Sequence, residues 1–182
     1  MTRAFHVFLL GLLGAAIVHL AILVLLPVLS ERDAWARLAA RGDLLRPVRL
    51  GPTETDSPVP LDDPFLGGAA CRFDLHDHGV LHVTAGSGPP FWSVSIHDRR
   101  GYNLASFNDR TVVGGRLDVA VATSAQMADL RRDLPDALAR SIFVEVDDPQ
   151  GIVILRALRP DPTWEPVVET FLASFACRAR LP

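Results

Sequence analysis

The sequence predicts an α+β protein: an N-terminal transmembrane helix, then a mainly antiparallel β-sheet or sandwich domain with two packed helices. Three observations carry this. Residues 7–29 hold no Asp, Glu, Lys or Arg. Between residues 70 and 98, apolar side chains recur at every second position in three stretches. Two later stretches return to a helical period, led by Ser124 and by Pro162.

The first element is the apolar run. Val7–Leu29 contains 23 residues with His19 as its sole ionisable side chain. At about 1.5 Å per residue it reaches about 35 Å, against a hydrocarbon core of about 30 Å. A secretory signal carries an apolar core of only about 7–15 residues, so an anchor is expected here, with the lipid bilayer as partner through residues 7–29. Val28 and Ser30 leave a weak cleavage signature as the alternative. Gly11, Gly14, Ala15 and Val18 offer a small-residue face to a second helix, although small residues are also simply tolerated in spans. His19 falls near the bilayer centre, where a neutral imidazole bonded to a neighbour is the plainer reading than a functional group. Pro27 sits in the last turn, where a kink costs little.

Side of the membrane is a contest of signals. Arg32, Arg37, Arg41, Arg46 and Arg49 follow the span, while only Arg3 and the α-amine precede it. The positive-inside count favours a cytoplasmic C-terminal domain. A short N-tail ahead of a first span favours export. With the two cysteines and the resemblance given below, a periplasmic domain on a bacterial inner membrane is expected.

Ser30 is expected to cap a separate helix to about Arg41, stopped by Gly42. Trp35 and Leu38 would suit the headgroup layer. Residues 51–64, GPTETDSPVPLDDP, read as a linker. The expected division is therefore an anchor over 1–30, a juxtamembrane helix and linker over 31–63, and a globular domain over 64–182.

Strands follow. Cys71, Phe73 and Leu75 alternate with Arg72 and Asp74; Leu81 and Val83 with His82 and Thr84; Trp92, Val94 and Ile96 with Ser93, Ser95 and His97. Alternation of this kind marks strands with one buried face. Asn103–Phe107 and Leu117–Ala122 are further strands. Ser124 is expected to cap a helix to about Leu134. Ser141–Val146 and Gly151–Leu158 are nearly continuous apolar runs, expected to form a hairpin of central strands across Asp147–Gln150. A last helix is predicted over about Pro162–Phe175.

Composition excludes some classes. A net charge of −3 leaves no footprint for nucleic acid. All 18 basic residues are arginine, a bias typical of GC-rich bacterial genomes. CxxC spacing is absent, so no structural zinc or thioredoxin-type motif is present. Cys71 and Cys177 are the only cysteines. In an oxidising compartment they form a bridge worth up to about 4.7 kcal/mol. In the cytoplasm they are two buried thiols. No cofactor is expected.

Catalytic residue types gather on the polar face of the first three of these strands. If those strands pair in sequence order, Asp74, His82, Ser93, Ser95 and His97 share that face. A relay needs a nucleophile bonded to a base held by an acid, and no nucleophile elbow marks one here, so a solvated face is the plainer reading. His76, His78 and His82, with Asp74 or Asp77, are the candidate metal ligands, set against adventitious histidines. Asn103 and Arg110 are candidates for an anionic ligand, set against ordinary turn chemistry. Gly101 and Gly114-Gly115 are turn glycines that fit no phosphate-binding loop.

Residues 63–182 also resemble the bacterial domain-of-unknown-function family 1254. The resemblance rests on DPFLGGAACRFDL (63–75), FWSVSIHDRRGYNLASFNDR (91–110), SAQMADLRRDLP (124–135) and IVILRALRPDPTWEPVVETFLASFAC (152–177). It implies a single-span, membrane-anchored envelope protein and assigns no catalytic residue. Larger members carry a second domain, family 1214, so a separate membrane protein of that kind is the implied partner. The function expected from all this is a binding or assembly module, with an envelope enzyme, hydrolase-like or metal-assisted, as the alternative.

Overall fold

The computed structural model describes residues 2–51, 59, 61, 63–77 and 79–180, without the side chains of 27–33 and 113. The chain forms two compact units, Met1–Ala34 and Trp35–Pro182.

Helix α1 spans Thr2–Ala39. Its stretch Thr2–Leu26 has the length and mean hydropathy, 2.7, of a membrane span or a signal sequence. All its described side chains up to Leu26 are exposed. The helix does not restart at Ser30. Ala34, Ala36, Arg37, Leu38 and Ala39 are strong helix formers and continue it without a new cap.

The second unit is a two-sheet sandwich with short helices. Its strands are β1 (Val48–Leu50), β2 (Leu66–Asp74), β3 (Val80–Ser87), β4 (Trp92–Asp98), β5 (Asn103–Asn108), β6 (Arg116–Thr123), β7 (Ile142–Val146), β8 (Gln150–Leu158) and β9 (Ala176–Arg180). One sheet has the order β1-β2-β8-β4-β5 and the other β7-β6-β3-β9. Every pairing is antiparallel except β6 with β7. The folded unit thus begins well ahead of residue 64, and β1 lies inside the expected juxtamembrane segment. Most of the expected linker, 52–58, 60 and 62, lies outside the described residues.

Several local expectations are corrected by long-range pairing. Sequence-order pairing of the first alternating strands fails: β2 and β4 flank β8 in one sheet, while β3 lies in the other between β6 and β9. The expected hairpin also fails. β8 is a central strand, but β7 is an edge strand of the opposite sheet. Helix α2 is Ser124–Leu130, and its cap is Thr123, not Ser124. Thr123 Oγ1 accepts from Gln126 N while Gln126 Oε1 accepts from Thr123 N, a reciprocal capping box. The last helical stretch is a 3₁₀ turn, Pro162–Trp164, followed by α3, Glu165–Ala173.

The inner faces of both sheets form one core. Phe73, Trp92, Ile96 and Leu155 meet Leu81, Val83, Leu117 and Val121, and α3 adds Val168, Phe171 and Leu172. Trp92 and Phe171 lie 5.7 Å apart, centroid to centroid. The Cys71–Cys177 disulfide joins β2 to β9, one strand from each sheet, with 6.7 Å between Cα atoms. A smaller cluster covers part of the second sheet's outer face: Leu130 of α2 and Leu138 of a 3₁₀ turn pack on Val80, Ala120 and Ala122.

Candidate functional site

The rest of that outer face is polar. Strand periodicity puts His82 and Thr84 of β3 there, opposite Ala120 and Asp118 of β6. Asp118 organises the patch. Its Oδ1 accepts from Ser141 Oγ. The same oxygen accepts from His82 Nε2 at 2.9 Å. His82 is 7% exposed, so this bond satisfies a buried imidazole. The order is serine, aspartate, histidine, with the acid in the middle. Ser141 therefore touches no base, and a nucleophilic relay is not assembled.

Beside this trio lies a cleft of about 670 Å³ lined by Thr84, Gly86, Arg116, Asp118, Arg140 and Ser174, with Ala85, Gly114 and Leu117. A β-bulge between Ala85 and Ser87 shapes its wall. The bulged Gly86 donates its N–H to Ser174 Oγ at 2.9 Å, and Ser174 Oγ donates to Phe171 O. Gly114 has φ +70°, a left-handed turn that delivers the chain into Arg116. The side chains of Arg116 and Arg140 have no hydrogen bond or ion pair among the described residues.

The sequence-predicted candidates do not converge. Asp74 ends β2 and binds His76, Nδ1 to Oδ1 at 2.7 Å. Gln150 Nε2 also donates to Asp74, and Arg99 donates to Gln150 Oε1. Burial raises the Asp74 carboxyl, but the backbone and ring of His76 and the Gln150 amide outweigh it, holding Asp74 below its ordinary value. His82 belongs to the other sheet. Ser93 pairs with Arg156 and Asn108 across the first sheet.

Ser95 and His97 do meet. His97 Nδ1 donates to Gly101 O at 3.1 Å, which leaves Nε2 to accept from Ser95 Oγ at 2.9 Å. This is nucleophile–base geometry, but Ser95 is 5% exposed and lines no described cleft.

Among the described residues, no group of three or more His, Cys, Asp or Glu side chains is placed to hold a metal. His76 is committed to Asp74, His82 to Asp118, and His78 lies outside the described residues. Asn103 opens β5, while Arg110 lies in the turn beyond its far end, where its backbone N–H donates to Asn108 Oδ1. Asn103 is instead bonded to Ser106. Trp35 does not stand alone for a headgroup layer: the guanidinium carbons of Arg72 and Arg99 lie 5.0 and 5.2 Å from its ring centroid. Leu38 is 1% exposed and belongs to the domain interior.

The sandwich recurs in a solved structure. The VPA0106 protein from Vibrio parahaemolyticus shares 15% identity at a TM-score of 0.53, over 64% of this chain and 28% of that one. An uncharacterized protein from Burkholderia cenocepacia is 14% identical at a TM-score of 0.45, over 73% and 36%. This chain thus spans only about a third or less of either protein's length. The Vibrio likeness shows the fold alone. No protein-family model matches the chain, and no curated protein matches it.

Arg116 and Arg140 were missed as site residues by sequence reasoning. They sit 24 positions apart. No local spacing signals that they share a cleft.

Proposed function

We propose that this chain is a single-span protein of a bacterial inner membrane that holds its α+β domain on the oxidising, periplasmic side, where the domain serves as a binding or assembly module. The observation that carries the reading is the Cys71–Cys177 bridge behind an apolar helix of membrane length. Cystines persist in oxidising compartments and are rare in the cytosol. The bridge therefore weighs against the arginine count that favours a cytoplasmic domain. The separation of Asp74, His82, Ser93 and His97 supports binding over hydrolysis. The family-1254 resemblance agrees with this reading. A family-1214-like membrane protein is then the partner to seek.

The test joins alkaline phosphatase, and separately a cytoplasm-only fluorescent protein, to the C-terminus of the full chain. Phosphatase activity without fluorescence, with both cysteines resistant to alkylation until reduced, is the expected result. Fluorescence with freely alkylated thiols overturns it. Intact mass of the membrane fraction separates an anchor from a cleaved leader.

A further inference from the structure

We propose that the cleft on the outer face of the β3–β6 pair binds a small hydroxylated organic anion, such as a sugar or polyol phosphate, gripped by Arg116 and Arg140. This deepens the binding-module reading and rests on it. The cleft's volume of about 670 Å³ lies within the range of small-molecule sites, roughly 300–1,000 Å³. Each guanidinium presents five N–H donors in a planar fork that matches an oxyanion. Both are free of ion pairs among the described residues, so no internal carboxylate must be displaced.

Asp118 does not cancel this field. Its Oδ1 already receives two donors, Ser141 Oγ and His82 Nε2. Its side chain is still 38% exposed, which leaves Oδ2 able to accept from a ligand hydroxyl. Thr84, the register partner of Asp118, adds a hydroxyl that can donate to the anion. Arg178 of β9 pairs with His82 and so adds a further positive charge to this face of the sheet. Two cationic forks beside one carboxylate acceptor select a ligand with both an oxyanion and a hydroxyl. Such chemistry exists in free metabolites and in a glycerol-phosphate lipid headgroup.

The full chain in neutral detergent micelles would be titrated calorimetrically with glycerol 3-phosphate and with inorganic phosphate. Saturable binding of both is expected, tighter for glycerol 3-phosphate. Arg116→Ala and Arg140→Ala should each weaken it about tenfold or more, as loss of a charge-assisted contact implies. Asp118→Asn should narrow the preference for glycerol 3-phosphate over phosphate. Both arginines are exposed, and unchanged thermal unfolding of the two variants would show that they fold. No binding at millimolar ligand, or binding untouched in the double arginine variant, overturns the proposal. Repeating the titration in nanodiscs with and without phosphatidylglycerol assigns the source. Competition by the lipid identifies a headgroup, and indifference to it identifies a free anion. The topology fusions read the anchored, periplasmic placement without any ligand, so either idea can fail alone.

Discussion

Cys71 and Cys177 form a covalent tie between the two sheets, buried in their shared core and 106 positions apart in sequence. Nearly the whole sandwich lies inside the loop they close. Reduction should lower unfolding stability by up to about 4.7 kcal/mol, which corresponds to a melting shift on the order of 10 °C. Thermal unfolding of the full chain with and without a phosphine reductant checks this. An unchanged melting temperature after complete reduction would show that packing alone holds the sheets together.

Asp118 is a shared acceptor, so its loss orphans two donors at once. Asp118→Ala should destabilise the domain by about 1–3 kcal/mol, because His82 stays buried without its partner. Ser141→Ala should cost less, since Asp118 keeps its bond to His82 and its part-exposed carboxylate can take a water in place of the lost hydroxyl. Urea unfolding of both variants provides the comparison, and equal costs would refute the argument.

Acid should act through Asp74. A carboxyl held below its ordinary value in the folded state adds stability that is complete above the unfolded value of about 3.9. That stability is lost as pH falls through the lower folded value. Wild type should therefore lose stability below about pH 4, and Asp74→Asn should be weaker at neutral pH with a flatter acid limb. Parallel acid limbs in the two proteins would rule out Asp74 as the group.

Ser95 should be chemically inert despite its contact with His97. A fluorophosphonate probe needs an accessible hydroxyl, and Ser95 is 5% exposed. The intact chain should remain unlabelled. Labelling abolished by Ser95→Ala would revive the hydrolase reading.

Gly151 should tolerate no side chain. A Cβ there would collide with the carbonyl of His97 and the ring of Phe73, between β4 and β2. Gly151→Ala should cost about 1–3 kcal/mol as an overpacked core position, read by chemical denaturation. A neutral substitution would mean that the strands on either side of β8 can spread.

The strands themselves were legible because alternation is a local property. Trp92, Val94 and Ile96 announce a buried face whatever their partners, and all three are in the core. Short elements escaped. Val48–Leu50 and Ala176–Arg180 are too brief to show a period, and pairing with β2 and β3 is what makes them strands. Phe175 looked like the end of a helix because its spacing fits Val168 and Phe171. In the structure the helix stops at Ala173 and Phe175 fills the same core from the connection.

Residue type and local spacing are enough to read the class of the protein: an apolar helix of membrane length, followed by half-buried strands and amphipathic helices. Those features depend on residue type and spacing within a few positions. Strand neighbours, by contrast, are set by packing across the whole sandwich, because backbone hydrogen bonds carry no residue identity and do not specify a partner. That choice separated Asp74 from His82, brought His82 to Asp118, and set Arg116 and Arg140 around one cleft. It also brought Cys71 to Cys177, a pairing that composition allowed and that the packing of two sheets made geometrically available.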